Sequence, residues 1–189
     1  MDDYEDEPRT PVGIVPTDGR GSLPFALLHG ESLVAVASWA LDEAGVELLD
    51  FTDSWADVQS REAALVVHDP LCPATPVSFL VEAVAAASTG AVVVGARPVT
   101  DTVKAEADGV IGDTVDRSGL LAVTSPVVLP ATVVAGLSGW PSFDDLADLV
   151  VALREEHEIT FLEAPALGRR VTDESDLPLI EALEDPADG

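Results

Sequence analysis

Short apolar runs recurring between amphipathic stretches constrain this chain more than any other feature. VGIVP (12–16), VELLDF (46–51), AALVVH (63–68), AVVVGA (91–96) and EITFLEA (158–164) each have strand length and are rich in β-branched residues. Between them the period changes. Val34, Ala37 and Leu41 share one face of a helix over about 31–44, and Leu80, Val84 and Ala87 align in another. Strand and helix in alternation define an α/β protein with a mainly parallel sheet.

Local signals place the remaining elements. Thr75 is expected to cap the helix carrying Leu80, with Pro76 at its first position. Further helices are expected near 130–137, after a cap at Ser142 with a stripe of Phe143, Leu146, Leu149 and Leu153, and over 174–184. Residues 97–124 differ in character. PVTDTVK, a turn at Asp108-Gly109, GVIGDTV and LLAVTSP read as extended segments. Residues 1–10 are acidic and aperiodic and read as a disordered tail, leaving 11–189 as one domain.

Charge excludes whole classes of partner. Thirty-five acidic residues against nine basic ones give a formal net charge of −26, and Lys104 is the only lysine. Such a field repels phosphate backbones and anionic lipid, so neither nucleic acid nor a membrane surface is an expected partner. With no apolar run near the roughly 20 residues of a membrane span, and a single cysteine, Cys72, the expected location is cytoplasmic.

Two sites stand out in the pattern, each with two readings. The loop PTDGRGSLP follows the first strand, where glycines let backbone N–H groups approach a phosphate. It equally suits an ordinary strand-to-helix turn, and Asp18 sets a negative charge inside the would-be cradle. His68-Asp69 stands at the carboxyl end of a strand, where open sheets bind ligands, yet Asp before Pro-Leu also caps turns. Cys72, between prolines with no base beside it, is expected to be inert, and His29 and His157 have no partners at catalytic spacing.

One long segment carries a family likeness. VVHDPLCPATP, followed by GARPVTDTVKAEADGVIGDTVDRSGLLAVTSP, resembles the cytidylyltransferases of the methylerythritol phosphate route to isoprenoids. In that family His-Asp-Ala-Ala-Arg-Pro, Pro-Val-x-Asp-Thr-Ile-Lys, Val-Asp-Arg-x-x-Leu and Ala-x-Gln-Thr-Pro-Gln occur in this order. The likeness is weaker in GIVPTDGRG, against Pro-Ala-Ala-Gly-x-Gly-x-Arg, and in RRVTDESDL near the end. It implies a three-layer, nucleotidyltransferase-like (Rossmann-like) sheet with an extended β-arm, here 97–124, that joins two subunits. It also implies transfer of a cytidylyl group from CTP to a sugar-alcohol phosphate, with Mg2+.

Residue by residue, the resemblance implies nucleotide contacts at Gly19, Gly21 and Asp69, with Asp69 also a metal ligand. It implies substrate-phosphate contacts at Thr102 and Arg117, and a catalytic cation at Arg170 where the family has lysine. The departures fall on cations. The loop lysine is Phe25, the loop arginine has no counterpart after Gly21-Ser22, and the motif arginine is Cys72. The segment that grips cytidine has no room between the second and third strands. Removing one cation aimed at developing negative charge costs about 10²–10³ in rate. The expectation is therefore a divergent member with weak or no transfer, acting as a regulatory partner to itself or to a homologue through the arm. The rival expectation is a working nucleotidyltransferase using Asp69, Thr102, Arg117 and Arg170.

Overall fold

The valine runs become strands, and their alternation decides which face each side chain takes. A computed structural model describes residues 9–184 apart from 51, 101–103, 108, 109 and 115. In chain order the elements are β1 (Val12–Ile14), β2 (Leu27–Leu28), β3 (Glu31–Ser32), α1 (Leu33–Glu43), β4 (Glu47–Leu48) and α2 (Trp55–Ser60). Then come β5 (Leu65–Val67), α3 (Val77–Ala86), β6 (Val92–Pro98), β7 (Lys104–Ala107), β8 (Val110–Thr114) and β9 (Leu121–Leu129). The chain continues through α4 (Ala131–Gly136), α5 (Leu146–Leu153), β10 (Ile159–Glu163) and α6 (Leu177–Glu184).

Six strands form one sheet in the order β10-β6-β9-β5-β1-β4, parallel except for β9, which runs against both neighbours. Both faces of the sheet are covered, so its inner strands are apolar throughout. Leu65 and Val67, Val92 and Val94, and Val127 and Leu129 point to one face, where α2, α4 and α5 pack. Their neighbours Val66, Val93 and Val128 point to the other, against Leu41 of α1 and Leu80 of α3. The mainly parallel α/β sheet expected from the pattern, in the three layers that the resemblance implies, is the observed fold. A third cluster joins Leu28, Leu33, Leu71, Val171, Leu177 and Ile180, tying α6 to the loop after β5.

Several local expectations shift, each for a visible reason. Among the described residues of the run VELLDF, only Glu47 and Leu48 pair. Beyond them the Asp50 N–H donates to Asp53 Oδ2 at 2.7 Å and the Thr52 N–H to Asp50 Oδ1 at 2.9 Å, turning the chain away. The link to β5 holds α2, opened by a capping box between Ser54 and Asp57. Asp145, not Ser142, caps α5, its carboxylate accepting from the Ala147 and Asp148 N–H groups. Pro76, not Thr75, is the cap residue of α3; the Thr75 hydroxyl donates instead to the Cys72 carbonyl at 2.8 Å.

Within 97–124, among the described residues, β7 and β8 pair only with each other, antiparallel, and neither joins the central sheet. Thr102 and the Asp108-Gly109 turn lie outside the described residues, as does most of the acidic tail. Among the described residues no helix is long and apolar enough to cross a membrane.

Candidate functional site

The first strand delivers a loop over the sheet, and that loop brings a residue the sequence reading overlooked. Arg20, between Gly19 and Gly21, turns inward with its side chain 1% exposed and donates through Nε to Asp69 Oδ1 at 2.8 Å. Its Nη1 donates to the carbonyls of Asp18 at 2.6 Å and Phe143 at 2.9 Å. From the far end of the chain, Arg170 Nε donates to Asp69 Oδ2 at 3.0 Å. Asp69 Oδ1 also accepts the Leu71 N–H at 3.0 Å. One buried carboxylate thus holds two guanidinium groups. Arg20 is a cation carried by the loop itself, between the two glycines. Its signal was available, because it is the only base in PTDGRGSLP.

The surroundings fix this carboxylate. Ser125 Oγ accepts the Asp69 N–H at 2.9 Å and shares a 2.5 Å hydrogen bond with His68 Nδ1. Ser125 reaches them because β9 bulges where it faces β6 between Val94 and Ala96. Gly95 allows that approach: a Cβ there would lie 2.6 Å from the Ser125 carbonyl oxygen. Burial lowers the His68 pKa to about 4, the Asp69 charge opposing only in part, so the imidazole is neutral at pH 7. Arg170 is placed by its successor, whose N–H donates to the Leu71 carbonyl at 2.6 Å. The Cys72 thiol is fully buried, and desolvation, with Asp69 adding to it, pushes its pKa far above the usual range, as an inert thiol requires.

The other expected residues are placed less favourably. Gly19 has φ +75°, which glycine tolerates, but its open side is filled: a Cβ would meet the Asp144 carbonyl oxygen at 2.7 Å. Gly21, at φ +59°, faces open space. Arg117 donates to the Thr100 carbonyl near the base of the hairpin. Phe25, where the family pattern has lysine, is 60% exposed.

A crevice of about 490 Å³ opens at the carboxyl ends of β1 and β4. Its walls include Trp140 and Phe143, packed edge to face at 6.0 Å. They also include Asp18, Asp50 and Asp53 and, among the described residues, no lysine or arginine. Arg61 reaches Asp53 from outside the crevice at 3.4 Å. The electrostatics therefore divide: carboxylates line the crevice, and the cations are gathered at Asp69.

The resemblance implies a divalent cation at Asp69. The donor set does not fit one. Both oxygens are committed to guanidinium nitrogens, and among the described residues no three His, Cys, Asp or Glu side chains converge as ligands.

A mainly parallel sheet with a glycine loop after β1 and a buried aspartate just beyond β5 defines a nucleotidyltransferase-like α/β protein. The family model for 2-C-methyl-D-erythritol 4-phosphate cytidylyltransferase matches residues 53–181. The chain belongs to this family of isoprenoid biosynthesis. It is 34% identical over 132 residues to the 2-C-methyl-D-erythritol 4-phosphate cytidylyltransferase of Parasynechococcus marenigrum, covering 66% of this chain and 57% of that protein. It is 31% identical over 128 residues to the bifunctional enzyme IspD/IspF of Nitratidesulfovibrio vulgaris, covering 64% of this chain and 32% of that protein. The matches thus span a third to just under three fifths of those relatives. Among solved structures, the cytidylyltransferase of Thermus thermophilus superposes with a TM-score of 0.66 at 22% identity, covering 91% of this chain and 97% of that one. The bifunctional IspDF of Campylobacter jejuni gives 0.60 at 14%, covering 88% and 52%. At such identities these two likenesses concern the fold.

Proposed function

We propose that this chain keeps the family fold but handles nucleoside triphosphates weakly or not at all, and serves its pathway as a non-catalytic dimer partner. The observation that carries this is the crevice beside the β1 loop, lined by Asp18, Asp50 and Asp53 and, among the described residues, by no lysine or arginine. A triphosphate needs positive groups aimed at its oxygens throughout transfer. Here the loop cation Arg20 is sealed inside, and Asp144 fills the space beside Gly19. On this reading residues 11–189 act as one domain. The hairpin of β7 and β8 is the arm, since an isolated two-stranded hairpin is marginal in water and gains stability from a partner. That partner is a second copy or a homologue, and Thr102 and Arg117 travel with the arm.

Titration calorimetry of the purified protein with CTP and Mg2+ tests this. No heat of binding is expected at micromolar to millimolar CTP, and clear micromolar binding would end the proposal. Sedimentation should show a dimer, or a complex once the homologue is added. A monomer in both runs removes the partner role.

A second reading has its own observation. Arg20 and Arg170 converge on Asp69 just past a strand end, so positive charge has not left the site. A transferase acting on CTP and a sugar-alcohol phosphate would use Arg170 toward the nucleotide phosphates, with Thr102 and Arg117 on the substrate phosphate. Pyrophosphate release from CTP plus methylerythritol phosphate, lost in Arg170→Gln, would favour it; no release from any nucleoside triphosphate would dismiss it.

A further inference from the structure

We propose that Asp69 is a guanidinium clamp in place of a metal ligand, so that an anionic ligand at this site meets Arg170 directly and no divalent cation intervenes. The proposal concerns the donor set alone and stands whether or not transfer occurs.

Three features carry it. First, three of the about four lone-pair sites of Asp69 are taken. Oδ1 accepts Arg20 Nε at 2.8 Å and Leu71 N at 3.0 Å, while Oδ2 accepts Arg170 Nε at 3.0 Å. A metal ion would find a single lone-pair site, on Oδ2 beside the Arg170 guanidinium, or would have to displace one of the two guanidinium groups. Second, the charge count is against a cation. Two guanidinium groups and one carboxylate leave the cluster with one net positive charge, which repels a divalent ion and attracts an anion. Third, the two arginines are anchored differently. Arg20 has its side chain 1% exposed and further held by the Asp18 and Phe143 carbonyls, so it is a fixed internal counter-charge. Arg170 is 41% exposed, and among the described residues its only hydrogen bond is through Nε. Its terminal nitrogens keep the planar fork that matches an oxyanion. Asp69 is then a positioning residue. It orients Arg170 and touches no ligand itself.

The test reads the side chains without reference to activity. In 15N-labelled protein, the Nε–H groups of Arg20 and Arg170 should give slowly exchanging resonances, as bonds to a shielded carboxylate require. One equivalent of Mn2+ in about 0.15 M KCl, enough to screen the general acidic surface, should leave both resonances unbroadened. Arg170→Gln removes one positive charge and frees Oδ2. In that variant Mn2+ should broaden the Arg20 resonance at least several-fold more than in the parent protein. Three outcomes would overturn the clamp: broadening of both parent signals by substoichiometric Mn2+ and reversal by Mg2+, absence of protected Nε–H resonances, or an Arg170→Gln protein as blind to Mn2+ as its parent.

Discussion

Neutralising Asp69 tests the clamp energetically. In Asp69→Asn the shape is kept, but the Arg20 guanidinium, 1% exposed, loses its counter-charge. Stranding a buried charge in this way costs about 3–5 kcal/mol. Arg170→Gln removes the other partner, yet that side chain is 41% exposed, where solvent screens the pair to about 0–1 kcal/mol. Two substitutions at one ion cluster should therefore differ by roughly 3 kcal/mol, with Asn the worse. For a domain of this size that corresponds to a melting temperature about 6–20 °C lower for Asp69→Asn than for the parent. Urea unfolding followed by tryptophan fluorescence and circular dichroism, fitted for all three proteins at pH 7, supplies the comparison. The reasoning is refuted if Asp69→Asn lies within about 1 kcal/mol of the parent, or if Arg170→Gln loses as much.

Two further outcomes follow from the same neighbourhood. Burial holds the His68 pKa at about 4 against 6.5 for the unconstrained group. Because the folded value is the lower one, the unfolded chain takes up the proton first. The stability linked to a neutral His68 is complete above pH 6.5 and drains away down to about pH 4, a total of about 3 kcal/mol. The stability difference between the parent and His68→Gln should narrow by that amount across the window, and parallel pH curves would contradict it. Gly95→Ala sets a Cβ 2.6 Å from the Ser125 carbonyl oxygen, so a strand must shift at a cost of about 1–3 kcal/mol. Gly119→Ala, with nothing within 4 Å, should be near neutral by the same urea assay, and equal effects would argue against the close approach.

What the sequence disclosed and what it hid follow from range. The strands were legible because Leu65–Val67 and Val92–Val94 are apolar without interruption, a pattern only a doubly covered sheet tolerates. α2 escaped because Trp55–Ser60 buries only Trp55 and Val58 and shows no sustained stripe. Its one local mark is the Ser54–Asp57 capping box. Asp69 was legible from its place beyond a strand. The resemblance put Arg170 at the same site but not on Asp69 itself; the two lie 101 residues apart and are joined through the Val171 N–H and the Leu71 carbonyl. Arg20 was legible as a base and not as an inward one. Its direction depends on the Phe143 carbonyl, 123 residues away, which no local pattern encodes.

If triphosphates are held weakly, as proposed, two causes are separable, and salt divides them. A net charge of −26 repels any polyanion at long range, but that field fades as the Debye length falls from about 10 Å at 0.1 M to about 3 Å at 1 M salt. The local cause does not fade. Arg9 and Arg61 are paired with surface carboxylates, Arg20 is sealed against Asp69, Arg97 donates to the Ala164 carbonyl at 3.0 Å, and of the Asp69 pair Arg170 alone keeps its terminal nitrogens open to an anion. The crevice keeps Asp18, Asp50 and Asp53 at any ionic strength. If the local arrangement decides, raising KCl from about 0.1 to about 1 M will not bring out CTP binding in calorimetry. Binding that emerges and strengthens with salt would transfer the blame to the distant field and return the crevice to service as a nucleotide site.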